Sequence, residues 1–371
     1  MQRRKFIRQS TLAGSCLSSY PSLLQQIKTG KNQPEKWSRE ASFYTLTARG
    51  VKCDLCPNTC ILTENEMGDC HNRINIGNKL YSIAYGNPCA VNIDPVEKKP
   101  LYHFLPGSTA FSIGTAGCNL ACMNCQNWQI SQRSPRDTRN SDLMPAAVIE
   151  QARAGRCRSV AYTYNEPLTF FEYAYDTSVI ARKSSIKNIL VTNGYINEKP
   201  LRRISTVTDA ANVDLKSFDN NVYMQLNGGT LDPVLRTLKI MKEAGVWLEI
   251  TNLLVPGYTD RLDMIRQMCA WLASNGFADT PLFFSRFFPA YKLSGLKPTP
   301  PETIYKAREI AINEGLNFVY TGNLDGVEGD NTNCPGCKKL LIRRDGFKVL
   351  SNVLLAGRCP VCNTVIPGVW G

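Results

Sequence analysis

From position 111 onward, short apolar runs alternate with longer stretches in which apolar residues recur every three or four positions. The runs at 111–115, 159–164, 188–192, 211–215, 247–255, 282–287 and 317–320 have the length and apolar character of strands buried on both faces. Segments 146–154, 168–182, 233–244, 261–273 and 301–314 carry the helical period. Asp232 is expected to cap the third of these helices, and Gly245 lies just past its end. Strand and helix alternating at this interval imply parallel βαβ units. No G-x-G-x-x-G follows the first strand. The pattern therefore predicts an α/β fold, a partial (β/α) TIM-like barrel rather than a dinucleotide-binding sheet.

In such barrels the chemistry sits at the C-terminal ends of the strands, and polar motifs fall there. Cys118-x3-Cys122-x2-Cys125 follows the first strand and Asn165-Glu166-Pro167 the second. Thr192-Asn193-Gly194 follows the third, Asp214-Leu215-Lys216 the fourth and Pro256-Gly257 the fifth. Taken singly, each has a plainer reading. Asn165 can cap a helix that has Pro167 in its first turn, and Asn193-Gly194 can be a turn needing positive φ. Asp214 and Lys216, two apart on a strand, can be a solvated ion pair. The triplet itself could be a zinc or iron knuckle with a distant fourth ligand. Three thiolates this close can also hold three irons of a cubane cluster and leave the fourth open to an outside molecule.

Composition narrows the field. The chain has 371 residues, 43% of them hydrophobic, with a mean hydropathy of −0.22. That suits one large or two smaller soluble domains, and no apolar run is long enough to span a membrane. The net charge is +12, but Arg3, Arg4, Lys5, Arg8, Lys28 and Lys31 precede the first acidic residue, Glu35. The remainder carries only about +6, a poor basis for nucleic-acid binding. Residues 1–40 read as a basic leader without stable structure. Gln2-Arg3-Arg4-Lys5-Phe6-Ile7-Arg8 is similar to a twin-arginine export signal, and Ala13-Gly14-Ser15-Cys16 is a poor lipoprotein site.

Fifteen cysteines fall largely into tight knuckles, which suit metals better than disulfides. Besides the triplet there are Cys53, Cys56, Cys60 and Cys70, and a paired C-P-x-C set, Cys334, Cys337, Cys359 and Cys362. The C-terminal set reads as a zinc ribbon; for the N-terminal set, zinc and an iron–sulfur cluster both stay open. Cys16, Cys89, Cys157 and Cys269 are left as structural thiols. The expected organisation is a cysteine-rich region at 41–108, a barrel at 109–325 and a zinc-ribbon-like lobe with four cysteines at 326–371.

At these motifs the chain resembles radical S-adenosylmethionine (SAM) proteins of the pyruvate formate-lyase-activating-enzyme-like group, and more narrowly the AmmeMemoRadiSam system radical SAM enzymes. The similarity covers roughly residues 45–371. It is carried by Cys53–Cys60 through Gly68-Asp69-Cys70, by the stretch from Asp94-Pro95-Val96-Glu97-Lys98-Lys99 to Pro106-Gly107-Ser108, by Tyr162–Pro167 and by Asn212–Phe218. The resemblance implies that Cys118, Cys122 and Cys125 hold a [4Fe–4S] cluster with SAM on its open iron. Glu166 would accept a hydrogen bond from the SAM ammonium, and Asn193, Asp214 and Lys216 would line the SAM or substrate pocket. Reductive cleavage would then yield a 5′-deoxyadenosyl radical that takes hydrogen from a protein or peptide, with a ferredoxin or flavodoxin as electron donor. These supplies place the protein in the cytoplasm, in tension with an exported leader. Two rival expectations are a nucleic-acid-modifying enzyme and a non-catalytic iron–sulfur or zinc electron carrier. The chain departs from the family at Asn124, where an aromatic residue is usual, and at Leu282-Phe283-Phe284-Ser285, where a His is common.

Overall fold

The strand-forming runs pair in the order in which they occur. The computed structural model describes residues 34–324 and 328–371. In it, eight strands form one sheet: β1 (Ala90–Pro95), β2 (Thr109–Gly114), β3 (Ser159–Tyr162), β4 (Lys187–Thr192), β5 (Ala210–Asp214), β6 (Trp247–Leu254), β7 (Leu282–Arg286) and β8 (Val319–Gly322). β1 runs antiparallel to β2, and every later pairing is parallel. β1 and β8 are the sheet edges, so the barrel is open. Helices α1 (Pro145–Ala154), α2 (Phe171–Lys183), α3 (Glu198–Ser205), α4 (Asp232–Glu243), α5 (Leu262–Leu272) and α6 (Pro301–Asn313) form the crossovers. Val148, Ala174, Ile204, Leu238, Ile265 and Ala307 from these helices bury themselves with Ile113, Val160, Leu190 and Val213 of the sheet. Residues 1–33 of the expected leader, Cys16 among them, lie outside the described residues. Among the described residues, no helix is long and apolar enough to cross a membrane.

Two elements are missing from the sequence reading. β1 is half exposed and ends in a proline, as suits an edge strand, so it lacks a continuous apolar run. α3 is short and charged, with buried residues confined to Pro200, Leu201, Ile204 and Ser205. Two caps also differ from expectation. Leu231 takes the cap position of α4, with its N–H on Asn220 Oδ1 at 3.0 Å, and Asp232 is the first helical residue. Glu166, not Asn165, caps the turn Pro167–Phe170, its carboxylate accepting from Leu168 N.

The segment after β1 closes the floor of the barrel. Val96, Leu101, Phe104 and Leu105 pack with Ala110, Ala161, Ile189 and Ala210 from the strand starts. Glu249 in β6 accepts from Tyr102 N and His103 N, each at 2.8 Å, and from Trp247 Nε1 at 3.0 Å. His103 Nδ1 can only donate to the Pro367 carbonyl (2.7 Å), so Nε2 accepts from Tyr320 OH (2.6 Å). The C-terminal lobe, built on strands Thr332–Asn333, Leu340–Asp345 and Lys348–Asn352, is joined to this floor. Arg344 donates to the Tyr102 carbonyl at 2.7 Å, and residues 103–105 exchange backbone bonds with Val369. At the N-terminal side, two small antiparallel sheets carry Cys53–Cys70; Phe43, Val51 and Leu55 join the main core.

Candidate functional site

The loops that leave the C-terminal ends of β2 to β5, with Leu253 of β6, line one cavity. Cys118, Cys122, Cys125, Asn124, Glu166, Asn193, Asp214 and Lys216 all face it. The residues predicted from the first four strand ends are therefore brought together, whereas Pro256-Gly257 does not line this cavity. The C-terminal cysteine set and the Cys53–Cys70 set lie elsewhere.

The triplet loop is held by packing and by amide side chains. Gly117 sits at φ +94°, and a Cβ there would meet the Cys70 carbonyl at 2.3 Å, so only glycine lets the loop seat against the N-terminal lobe. Each sulfur already has a polar neighbour. Leu120 N lies 3.5 Å from Cys118 Sγ, and Asn193 Nδ2 3.7 Å from it. Asn227 Nδ2 donates to Cys122 Sγ at 3.3 Å, and Ser131 Oγ is 3.2 Å from Cys125 Sγ. Burial pushes the Cys118 thiol well above its ordinary range and raises Cys122 as well. Iron bound in place of the proton relieves that cost, because the ligand is the thiolate.

Glu166 ties two strand ends together. Leu168 N (3.0 Å) and Thr192 Oγ1 (2.7 Å) donate to Oε1, and Asn193 N (2.7 Å) donates to Oε2. Burial pushes its carboxyl up to about 7, against the pull of those donors. A carboxylate offers about four acceptor sites, so roughly one is left, on Oε2. Asn193 Nδ2 donates to Asn119 Oδ1 at 2.8 Å, and its own oxygen takes Tyr195 N at 2.8 Å, which locks the amide. Asp214 and Lys216 do form an ion pair, at 2.8 Å, but on the cavity wall rather than in open solvent. Burial opposes the Lys216 charge, yet Asp214 and the neighbouring Cys122 sulfur hold its pKa well above the usual lysine range.

Several residues that hold the site had no signal in the sequence. Asn227 and Ser131 come from irregular or short segments, and Asn119 lies inside the triplet. Asp94, whose carboxyl is held low by Lys99, Tyr164 and Lys98 against the effect of burial, anchors one side of the cavity. Asn124, Asn165 and Asn227 each bury a side-chain oxygen without a partner. Those of Asn124 and Asn165 belong to residues of this cavity's wall, with Asn227 in the adjoining pocket, and such orphan acceptors fit a ligand rich in N–H donors. The thiols and amides together suit an iron–sulfur cluster with a polar molecule beside it.

The C-terminal set has a different geometry. Among the described residues, Cys334, Cys337, Cys359 and Cys362 are the one group of potential ligands whose donor atoms all lie within 4.8 Å of one another. Cys334 and Cys362 sulfurs are 3.5 Å apart, and those of Cys337 and Cys359 3.6 Å. This set can hold a metal ion.

Residues 112–271 match the family described as the Radical SAM superfamily. The chain is 44% identical over 331 residues to an uncharacterized protein of Methanocaldococcus jannaschii, an alignment spanning 88% of this chain and 98% of the relative. It is 23% identical to the pyruvate formate-lyase 1-activating enzyme of Escherichia coli K12, over 55% of this chain and 89% of that enzyme. Among solved structures it is similar to Streptococcus suis SuiB bound to precursor peptide SuiA, at 17% identity and a TM-score of 0.46, covering 62% of this chain and 51% of that one. With three cysteines at the end of the first parallel strand and the polar strand ends gathered around them, residues 112–271 form a radical SAM domain.

Proposed function

We propose that this protein is a radical SAM enzyme of the AmmeMemoRadiSam type acting on a protein or peptide. The observation that carries the reading is the cavity in which Cys118, Cys122 and Cys125, each with a polar neighbour on its sulfur, face Glu166, Asn193, Asp214 and Lys216. Held by those three thiolates, a [4Fe–4S] cluster with SAM beside it would supply one-electron reductive cleavage and hydrogen-atom abstraction.

The chain's own groups have separable tasks. The three thiolates hold the metal, while Leu120 N, Asn193, Asn227 and Ser131 stabilise negative charge on their sulfurs. Glu166 uses its remaining acceptor site for the SAM ammonium, a charge-assisted contact stronger than a neutral one. Lys216, kept protonated by Asp214, offers a cation to a carboxylate. Asn124 presents its unpaired amide where an aromatic side chain would stack on the adenine, so it reads the ring by hydrogen bonding. The floor formed by residues 96–105 shuts the far end of the barrel and keeps water from the radical.

The substrate class rests on the name of the Escherichia coli relative, which activates another enzyme. The electron donor is a low-potential protein such as a ferredoxin or flavodoxin, and the cytoplasm supplies both donor and SAM. Cys334, Cys337, Cys359 and Cys362 bind zinc, since a tetrahedral ion with ~2.3 Å bonds sets sulfurs ~3.8 Å apart. The test is anaerobic reconstitution with iron, sulfide, SAM and dithionite, followed by chromatography for 5′-deoxyadenosine. Wild type should produce it and Cys122→Ala should not; a reconstituted wild type that leaves SAM intact would sink the enzyme assignment.

A further inference from the structure

Cys53, Cys56, Cys60 and Cys70 line one cavity with Arg73 and Asn119. All four are free thiols. The Cys53 N–H donates to the Cys60 carbonyl at 2.9 Å, closing the first three into a loop. A second turn, with Gly68 N on the Arg73 carbonyl and His71 N on the Gly68 carbonyl, both at 2.8 Å, brings in Cys70.

Sulfur spacing separates the two kinds of occupant. A single zinc needs thiolates ~3.8 Å apart, and the C-terminal set, at 3.5 and 3.6 Å, meets that. The N-terminal set is wider: among the described residues, only the C-terminal group has all its ligand atoms within 4.8 Å. A cubane cluster takes each thiolate on a different iron, so its ligands stand further apart than those of one ion.

Arg73 is the independent observation. Its side chain is 1% exposed, and Nη2 donates to both oxygens of the buried Glu172, at 2.9 and 3.2 Å. Nε and Nη1 are buried with no partner. Orphan guanidinium donors are costly. At the wall of a four-cysteine cavity they call for an anionic occupant rich in acceptor sulfurs.

We propose that Cys53, Cys56, Cys60 and Cys70 ligate a second [4Fe–4S] cluster, whose sulfurs accept the free N–H groups of Arg73. The site adjoins the first centre. Asn58 Nδ2 donates to the Asn119 carbonyl at 3.1 Å, one residue from Cys118, and the Cys70 carbonyl is the atom that forces glycine at 117. The assignment stands on the N-terminal lobe alone and does not depend on SAM cleavage.

The full-length chain, reconstituted anaerobically with iron and sulfide, should hold about eight iron and eight sulfide, with about one zinc. A Cys118/Cys122/Cys125→Ala variant should keep about four iron and four sulfide. About four iron and two zinc in wild type overturns the assignment, and so does a folded triple variant without iron. If the triple variant does not fold, the wild-type count decides. Arg73→Gln removes a positive charge that favours the extra electron. In a potentiometric EPR titration of the full-length chain, one of the two cluster signals should shift to a more negative midpoint. Two unmoved signals overturn the role of Arg73. Eight iron without SAM turnover would leave this site intact while the enzyme reading fell.

Discussion

Glu166 holds two strand ends with its carboxylate, and a single-atom change separates that job from the SAM contact proposed for it. Oε1 takes two donors, Leu168 N and Thr192 Oγ1, while Oε2 takes Asn193 N and keeps one site open to the cavity. In Glu166→Gln the carboxamide oxygen can retain the Oε1 pair, which sets its NH2 against the Asn193 N–H. Losing that bond in a buried place should cost about 1–3 kcal/mol, read as a lower urea midpoint. The same variant should bind SAM more weakly in calorimetry, since the acceptor facing the cavity becomes a donor. Unchanged SAM affinity with lowered stability would confine Glu166 to the structural job. The identity of this residue was legible from its place after the second strand. Its capping of the Pro167–Phe170 turn was not, because that depends on which carboxylate rotamer the Thr192 hydroxyl captures from another strand.

At the scale of elements, the barrel floor sets two titrations against each other. Burial pushes the Glu249 carboxyl up to about 7 from 4.5, with its three donors and Arg344 pulling the other way. Burial drives His103 down to about 3 from 6.5, opposed by its bond to the Pro367 carbonyl. A carboxyl whose folded pKa is raised stabilises fully below 4.5 and loses that contribution as pH rises towards 7. An imidazole whose folded pKa is depressed stabilises above 6.5 and loses that contribution as pH falls. Between 4.5 and 6.5 the slopes oppose, so wild-type stability should vary little there on account of these two groups. Glu249→Gln should leave the His103 slope, with stability rising across that window by roughly 2 kcal/mol. His103→Gln should reverse the slope. Urea unfolding at each end of the window reads both, and parallel pH profiles for the two variants would contradict the pairing. None of this was visible in the chain, since Glu249 reads as a strand residue and His103 as a lone histidine 146 positions away.

Over the whole molecule, the C-terminal lobe acts as a clasp on the floor. Arg344 lies over the Tyr102 ring at 4.2 Å and donates to its carbonyl, and Val369 bonds with both His103 and Leu105. The four-cysteine knuckle organises that lobe, so Cys337→Ala should release one zinc per chain and lower the Tm by roughly 5 °C or more. The cluster EPR signals should remain in that variant, because its cysteine lies outside the Cys53–Cys70 and Cys118–Cys125 loops. Their loss would mean that the lobe and the catalytic end of the barrel fold as one cooperative unit. The role of the Asp94–Ser108 stretch belongs to this scale too. It carries part of the family resemblance, yet no local pattern marks Val96, Leu101, Phe104 and Leu105 as a plug. They become one only when the strand starts of β2 to β5 form an open mouth that must be filled.

The alternation of apolar runs and helical segments by itself determined the parallel sheet, the end of it at which the cavity opens and most of the residues gathered there. These are short-range properties: strand period, strand length and the polar residues just after each run. The cysteine groups were legible from spacing; tertiary structure alone decided how widely the sulfurs of each group stand. Spacing along the chain brings thiols near one another but does not set the distance between sulfurs. The C-terminal four meet at the separation of one ion, while the N-terminal four surround a wider cavity with two unpaired N–H groups of Arg73 at its wall. That difference comes from the backbones packed behind each loop, and these come from distant parts of the chain.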